Sequence, residues 1–406
     1  MGLLRHTSHA GAIPLSFRDT VLMDSGISDE GYQDQILPHV SRTFALTIPQ
    51  LPPSLRIAVT NAYLLCRIAD TIEDEPALSP SETLVFMDRF KAVVAAGRGA
   101  RDTAPLAGEL DKRLSPRTLP AERDLILNMV RVLNVTASLT APQRSAIQRC
   151  LTLMCYGMPR FQRSASLRGL PRSTDLDDYC YYVAGVVGDM LTELFCEYSA
   201  AIAQNHTKMQ YLAVSFAQGL QMTNILKDVW EDRSRGACWL PQEVFTAHRL
   251  DLAQLAPEGP NAGFDAGMRE LIGVAHAHLR NALDYTLLIP ATEVGIRRFC
   301  LWAVGLAVLT LRKIHNNPGF TAGSQVKITR SAVSMTRLLT DVSLRSDWML
   351  RLLFAGAARG LPLVRLAEVR RPQAVRTEFE PPVDAAELAN RATEPVRRRS
   401  YGSSGT

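Results

Sequence analysis

Two acidic motifs with the same spacing lie far apart in the chain. They are Asp70-Thr-Ile-Glu73-Asp74 and Asp228-Val-Trp-Glu231-Asp232. Residues four apart lie on one face of a helix, where like charges repel and weaken the helix unless a cation binds them. Carboxylate oxygens suit Mg²⁺, which often bridges to the phosphates of a substrate. Two such helices facing each other predict a magnesium cage that binds a diphosphate and helps it to leave.

One motif alone has a simpler explanation, which is an acidic helix face exposed to solvent. The surroundings favour the metal site, because each motif follows an apolar stretch and has a basic residue nearby. Arg67 lies one turn before the first motif, and Lys227 directly precedes the second. Gln221 and Asn224 add polar groups on nearby faces of the second helix. The rest of such a site would have to be long and apolar to hold prenyl chains.

A third segment, from Asp178 to Asp189, combines tyrosines with two glycines. Gly185 and Gly188 each weaken a helix by roughly 1 kcal/mol relative to alanine. A chain tolerates that cost where another group comes close to its backbone. That group is either a neighbouring helix or a substrate chain, and the sequence leaves both open. Tyr179 and its neighbours supply hydroxyls for hydrogen bonding or proton transfer.

Helices are predicted to position all of these residues. From about residue 30 to 370, apolar residues recur three and four apart, and proline groups divide the pattern into roughly a dozen helices. Alternating strand patterns are hard to find, and no flexible linker interrupts residues 30–350. We therefore predict a single all-α domain over residues 29–371. Residues 1–28 are expected to be loosely ordered, and residues 372–406 to form a disordered basic tail.

The segment before the tail runs from Trp348 to Phe354 and is followed by several arginines. It is either a last core helix or a basic amphipathic segment that rests on a membrane surface. The longest strongly apolar run, near Cys300 to Leu311, is predicted to be too short to span a bilayer. With no apolar signal region at the N-terminus, we expect a cytoplasmic protein, with peripheral contact at the inner face of the membrane as an option. We also expect a monomer.

Composition excludes several other classes of protein. The net charge of +5 on 406 residues lacks the density of a nucleic-acid binder but suits an anionic substrate or membrane. Seven cysteines without a CxxC pair indicate buried, reduced thiols rather than a disulfide framework. His276 and His278 are two residues apart and point to different faces of a helix, which argues against a zinc site.

With these motifs in view, the chain resembles the squalene and phytoene synthase family over roughly residues 36–340. The resemblance rests on five segments: Ser41-Arg42-Thr43-Phe44, Tyr63 through Asp74, Tyr179 through Gly185, Gln221 through Asp232, and Trp239 through Glu243. Phe299-Cys300, Asn316-Asn317 and Val326 through Arg330 are similar to the reductive block of the family's squalene-forming branch. The C-terminal anchor common in eukaryotic members is not seen, which indicates a bacterial-type member.

The resemblance implies an isoprenoid-synthase-like helical bundle with a central cavity. It implies that two farnesyl diphosphates condense head to head to presqualene diphosphate, which NADPH then reduces to squalene, with Mg²⁺ as the metal. The implied metal and diphosphate ligands are Asp70, Glu73, Asp74, Asp228 and Asp232. Tyr179 is implied in proton transfer, and Phe299 would face a developing cation. The residues implied in substrate or cofactor binding are Arg42, Tyr63, Arg67, Gln221, Asn224, Lys227, Lys327 and Arg330.

One departure from the family pattern concerns the reductive step. The family's Lys-x-Arg pair appears here as Lys327-Ile328-Thr329, with Arg330 one place late. Thr329 carries no charge, and on a helix Arg330 would point about 100° away. No GxGxxG fingerprint occurs, so NADPH would bind without a Rossmann module. The alternatives are a presqualene diphosphate, dehydrosqualene or phytoene synthase without reduction, a helical scaffold without chemistry, and an unrelated magnesium-dependent diphosphate hydrolase.

Overall fold

The computed structural model describes residues 26–41, 43–97, 101–256 and 261–366, together with residues 369, 371, 372 and 375. The chain divides into two compact units, Met1–Arg370 and Arg371–Thr406, and every helix described here belongs to the first. Over the described residues there is no strand, only an isolated bridge between Leu170 and Pro241. The predicted all-α class is confirmed. Most of the predicted N-terminal extension and C-terminal tail lies outside the described residues.

The described helices form a bundle. Those of the first half are α1 (Asp29–Val40), α2 (Phe44–Thr47), α3 (Pro53–Asp74), α4 (Pro80–Ala96), α5 (Thr103–Arg113), α6 (Pro120–Leu127), α7 (Met129–Ser138), α8 (Ala141–Arg163) and α9 (Ser173–Cys180). Those of the second half are α10 (Val186–Tyr198), α11 (Ala200–Ala203), α12 (His206–Lys227), α13 (Val229–Ser234), α14 (Gln242–Ala247), α15 (Ala262–Leu287), α16 (Val294–His315), α17 (Arg330–Ser343) and α18 (Asp347–Ala357). A single turn of π-helix, Tyr181–Gly185, here called the π-turn, joins α9 to α10. Turns of 3₁₀ helix span Ile48–Gln50, Leu252–Gln254 and Gly323–Val326.

The proline groups lie between helices, as the sequence predicts, and three of these prolines begin a helix. Pro53, Pro80 and Pro120 are each the first residue of a helix, where the missing N–H has no helical partner to lose. Ser79 adds a capping box at α4, because its Oγ accepts from the N–H of Glu82 and its own N–H donates to Glu82 Oε2. These local signals fix where α3, α4 and α6 begin.

Helix α12 lies at the centre of the bundle and packs most extensively on α15, with α9, α10, the π-turn and α16 around it. Glycines allow the close approach: a Cβ on Gly188 of α10 would lie 2.5 Å from the carbonyl oxygen of Ala213 on α12. A Cβ on Gly185 would lie 2.7 Å from the ring of Tyr181 in the π-turn. Close packing against a helix and a tyrosine ring, rather than a substrate chain, therefore accounts for these two glycines.

The apolar run near Cys300 belongs to helix α16, which has 22 residues. A helix of this length and a mean hydropathy of 1.7 over its most apolar window could cross a membrane, so the prediction that the run is too short was wrong. The prediction erred because it measured the apolar run instead of the helix that contains it. Within this fold, 61% of that window is buried, and α16 packs against α12 and α15 as a core helix does.

His278 on α15 is a buried neutral histidine at the α12–α15 interface. Its Nδ1 lies 2.8 Å from Ser215 Oγ, which in turn accepts a hydrogen bond from Asn281 Nδ2 at 2.9 Å. Burial disfavours a charged ring at this interface. Burial lowers the pKa of His278 to about 4. His276 instead donates to the carbonyl oxygen of Pro362, so the two histidines face different partners, as the sequence predicts.

In the unfolded chain, His278 binds a proton with its ordinary pKa of 6.5, whereas in the folded chain its pKa is about 4. The free energy of unfolding should therefore fall as the pH drops from 6.5 to 4. The expected loss is up to about 3 kcal/mol. Thermal midpoints measured from pH 7.5 to 4.5 test this, with His278→Gln as the comparison. The glutamine variant should show a flatter profile; parallel profiles would contradict the assignment.

Candidate active site

The first acidic motif lies at the C-terminal end of α3. Asp70 and Glu73 are buried, at 5% and 4% exposure, while Asp74 is exposed as the last helical residue. The partial negative charge at a helix C-terminus disfavours carboxylates there. Burial of two acids at this position therefore costs stability unless cations compensate for their charge.

Arg67 supplies part of that compensation from inside the protein. Its buried guanidinium pairs with Glu122 of α6 and lies 3.9 Å from Asp70 Oδ2. Burial raises the pKa of Asp70 to about 7, with Arg67 opposing the shift and Asp74 and Glu73 adding to it. Asp70 can therefore release a proton near neutral pH when a cation arrives. Sequence reasoning missed Glu122, whose place in the first turn of α6 looked like an ordinary capping position.

An apolar pocket lies along one face of α3, and its lining residue nearest to the acidic motif is Cys66, one turn before Asp70. Tyr63 and Cys66 share a helix face with Asp70, and Tyr63 lies roughly 10 Å from Asp70 along the helix. Both side chains line this pocket. Its cavity is about 40 Å³, so a prenyl chain requires the walls to move apart. The other lining residues are Phe44, Ile48, Val59, Met154, Val183, Val187, Met190, Leu191 and Phe299. The two methionines are flexible enough to make room.

Phe299 of α16 enters the same pocket as Tyr63. Its ring meets Phe195 edge-on, with centroids 6.2 Å apart, and Phe44 packs against Tyr63 with centroids 5.4 Å apart. The Tyr63 hydroxyl donates to the carbonyl oxygen of Val40 at 2.9 Å, and burial raises the pKa of this phenol. The ring of Tyr63 therefore lines the pocket as a neutral phenol, and its hydroxyl is already hydrogen-bonded to Val40.

The second acidic motif straddles the junction between α12 and α13. The prediction of one continuous helix is corrected here, because Asp228 has φ −99° and ψ 17° and separates the two helices. Asp228 and Asp232 are 2% and 3% exposed, and Lys227 Nζ lies 3.1 Å from Asp228 Oδ2. The break between α12 and α13 therefore lies directly beside the buried carboxylates.

Gln221 lies two turns before Asp228 on α12 and is fully buried. Within the described part of the chain, neither its amide oxygen nor its amide nitrogen has a hydrogen-bond partner. A buried polar atom without a partner costs about 1–3 kcal/mol, so native proteins rarely leave both atoms of one amide unsatisfied. Gln221 therefore fits a site that binds a polar ligand. Asn224, one turn nearer to Asp228, is half-buried.

The 3₁₀ turn Gly323–Val326 lies directly on the second motif. The N–H of Gly323 donates to Glu231 Oε1 at 2.8 Å, and Trp230 Nε1 donates to the carbonyl oxygen of Phe320 at 2.7 Å. A Cβ on Gly323 would lie 3.0 Å from Asp228 Oδ1, so only glycine fits comfortably. Sequence reasoning missed Gly323, because nothing local shows that a carboxylate from ninety residues earlier lies against it.

Lys327 follows this turn in an extended conformation. Thr329 caps helix α17, since its Oγ1 accepts from the N–H of Ala332 at 3.2 Å, and Arg330 is the first helical residue. The 100° separation considered for a helical stretch does not apply here, because the helix begins only after Thr329. Both Lys327 and Arg330 are exposed, and neither forms an ion pair within the described residues. Thr329 has a structural role where the family has a charge.

Tyr179 is completely buried, and its ring is held between two others. Trp239 stacks on it with centroids 4.3 Å apart and planes 9° apart, and Phe161 meets it edge-on at 5.4 Å. The ring is therefore fixed in orientation. Sequence reasoning included Trp239 in the family motif but gave it no role. Arg42, also a predicted site residue, lies outside the described residues.

The donor atoms at both motifs are the hard oxygens that magnesium prefers, and the buried pairs Asp70 and Glu73, and Asp228 and Asp232, fit that metal. Among the described residues, no three Asp, Glu, His or Cys side chains lie close enough to hold a metal ion by themselves. Magnesium usually keeps several waters and takes further ligands from substrate phosphates. The arrangement therefore fits a metal shared with a diphosphate better than an all-protein cage.

The family profile described as squalene/phytoene synthase matches residues 37–332. The chain belongs to this family. The matched region contains every predicted site residue from Arg42 to Arg330, including both acidic motifs and the Lys327 segment. The site described above is therefore the part of the chain that this squalene/phytoene synthase family member shares with its relatives.

Curated relatives of this family member include three yeast proteins named squalene synthase. The Eremothecium gossypii protein is 29% identical over 286 residues, covering 70% of this chain and 62% of its own length. The Candida albicans protein is 30% identical over 296 residues, covering 70% of this chain and 61% of its own. The Saccharomyces cerevisiae protein is 29% identical over 300 residues, covering 73% of this chain and 64% of its own length. The chain thus matches somewhat less than two thirds of each relative.

Two solved structures share the fold of the family. A ligand complex of TcSQS aligns with a TM-score of 0.62 at 21% identity, covering 82% of this chain and 98% of the other. A dehydrosqualene synthase in complex with a ligand aligns with a TM-score of 0.57 at 20% identity, covering 78% and 97%. The predicted isoprenoid-synthase-like bundle is confirmed.

Gly323→Ala should lower turnover by roughly tenfold without unfolding the protein, because the new methyl group must displace Asp228 or the turn by a few tenths of an ångström. Gly319→Ala is the matched control, since a Cβ there has nothing within 4 Å. Activity and thermal midpoint are measured for both variants. Equal activity in the two would show that the contact between the turn and Asp228 has no role in the site.

Proposed function

We propose that this protein condenses two molecules of farnesyl diphosphate to presqualene diphosphate and then reduces that intermediate to squalene with NADPH. The observation that carries the proposal is the order of groups along one face of α3, where Val59, Tyr63 and Cys66 line an apolar pocket and the buried carboxylate of Asp70 follows one turn later. An amphiphile with a long apolar chain and an anionic head fits this order. Membership of the family and its squalene synthase relatives support the choice of substrate and product.

In the first step, the prenyl chain would lie in the apolar pocket and its diphosphate at the acidic end. Asp70, Glu73, Asp228 and Asp232, with Asp74 at the surface, would hold magnesium. Bound magnesium would neutralise the diphosphate and make it a better leaving group. Lys227 adds a cation at the second motif, and Arg67 keeps Asp70 oriented through their ion pair. Gln221 and Asn224 offer amides to the remaining polar groups.

The residues of the pocket would then control the cation that remains when the carbon–oxygen bond breaks. The negative ring faces of Phe299 and Tyr63 favour positive charge and exclude water from it. The double bond of the second farnesyl diphosphate forms the new carbon–carbon bond, and loss of one proton closes the cyclopropane ring. We assign assistance of this proton transfer to the Tyr179 hydroxyl, which would give up its own proton to the released diphosphate as it takes the new one. Trp239 and Phe161 fix its ring from two sides.

The second step would use the segment that lies against the second acidic motif. Here diphosphate would leave from presqualene diphosphate, the remaining cation would rearrange, and NADPH would supply the hydride that completes squalene. Lys327, Arg330 and Arg42 would bind the phosphates of the cofactor, as cations do in phosphate sites. Lys327 is well placed for this because the preceding turn donates a backbone hydrogen bond to Glu231.

Product analysis tests the complete proposal. The purified protein, incubated with farnesyl diphosphate, magnesium and NADPH, should give squalene, and without NADPH squalene should not form. Dehydrosqualene regardless of the cofactor, or phytoene from a longer substrate, would replace the proposal with a synthase that lacks reduction. Release of diphosphate without any coupled product would indicate a hydrolase.

Lys327→Ala should separate the two steps, because it removes a cofactor-side charge and leaves the carboxylates intact. We expect presqualene diphosphate to accumulate at a near-normal rate while squalene formation falls by roughly tenfold or more. Asp70→Asn serves as the matched comparison and should abolish both steps by removing a metal-binding carboxylate. Quantifying both products by extraction decides the point, and equal loss of both in Lys327→Ala would refute its role in reduction.

A further inference from the structure

Helix α17 has its apolar side chains turned away from the bundle. Its only buried residues are Thr340 and Ser343. Met335, Leu338, Leu339 and Val342 are instead 54%, 59%, 40% and 66% exposed. They follow the spacing i, i+3, i+4, i+7 and therefore form one stripe along the helix. A helix with this pattern normally buries the stripe, so the stripe calls for a partner.

Helix α18 extends the same surface. Trp348 and Leu352 lie one turn apart and are 70% and 59% exposed, and Leu350 is the one residue of α18 that is buried. Met335, Leu339 and Leu352 together line a groove of about 430 Å³ whose floor is helix α16. The exposed residues of the two helices thus belong to one continuous apolar face, larger than scattered surface side chains produce.

The charges around this α17–α18 face are almost all positive. Residues 330–366 contain six arginines and two acidic residues, Asp341 and Asp347. Both aspartates are already paired with arginines of α16, at 2.8 Å to Arg298 and 2.7 Å to Arg297. The exposed arginines of this stretch that form no ion pair within the described residues are Arg330, Arg345, Arg359 and Arg365. Of these, Arg345 lies between the two helices and Arg359 lies just after α18. The face therefore offers unpaired cations beside exposed apolar groups.

We propose that the α17–α18 face docks on the surface of an anionic phospholipid bilayer. Apolar side chains beside arginines are the pattern of helices that lie in the membrane interface, and an exposed tryptophan prefers that region. A single hydrocarbon ligand in the groove would leave Leu338, Val342 and Trp348 uncovered, because they do not line it. A second copy related by a two-fold axis would set the cationic face against itself. A bilayer covers the stripe and pairs with the arginines.

Vesicle flotation of the full chain tests this docking. Wild-type protein should float with phosphatidylcholine vesicles that contain phosphatidylglycerol, and less with phosphatidylcholine alone or in high salt. The double variant Leu338→Glu/Val342→Glu should reduce binding at least about tenfold. The matched control Val85→Glu/Leu127→Glu places the same charges at apolar sites that are 57% and 50% exposed on other helices, and should bind like wild type.

The arginines are tested separately. Arg345→Gln/Arg359→Gln should weaken binding to anionic vesicles, whereas Arg101→Gln/Arg117→Gln, which removes exposed arginines elsewhere, should not. All substituted positions are exposed, and thermal midpoints near the wild-type value confirm that the variants fold.

Several outcomes would overturn the proposal. The first is either a wild-type protein that does not float or equal losses in the face and control variants. The second is loss of binding in Arg397→Gln/Arg398→Gln/Arg399→Gln while Leu338→Glu/Val342→Glu still binds, which would assign binding to the C-terminal arginines. The third is a wild-type dimer by light scattering that Leu338→Glu/Val342→Glu makes monomeric, with no vesicle binding, which would identify the face as an interface between two copies.

Discussion

The ion pair of Arg67 with Glu122 and Asp70 allows the protein to keep acidic side chains inside a helical bundle. Charges removed from water are costly unless they are paired, and here the arginine is itself buried. The arrangement opposes only part of the burial effect, which leaves Asp70 with a raised pKa near neutrality. The ion pair thus allows the site to fold, while the negative charge that it leaves uncompensated attracts a cation. Such a compromise is typical of functional sites.

Periodicity and breakers were sufficient to predict the helical class and the division of the chain into many helices. Pro53, Pro80 and Pro120 act through their own covalent geometry, so their effect is visible in the sequence. The two acidic motifs were also recognisable, because their spacing costs a helix stability and calls for a reason. The family profile matches residues 37–332, so membership of the family is also recognisable from the sequence.

What the sequence could not reveal depends on contacts between distant segments. Glu122, Trp239 and Gly323 each look ordinary locally and matter only because the fold brings Arg67, Tyr179 and Asp228 to them. The break at Asp228 and the capping role of Thr329 were missed for a related reason. Helical periodicity continues through both positions, while hydrogen bonds with neighbouring groups decide where a helix ends.

The turn that rests on the second acidic motif limits how this protein can be modified or recombined. Trp230 and Glu231 hold the backbone of Phe320 and Gly323, so the segment leading to Lys327 is anchored on the motif that precedes it by about ninety residues. The C-terminal block is therefore not a separable module that could be exchanged between relatives as a cassette. A change in the length of the chain between α16 and α17 would be felt at the carboxylates, and the two parts of the site have to evolve together.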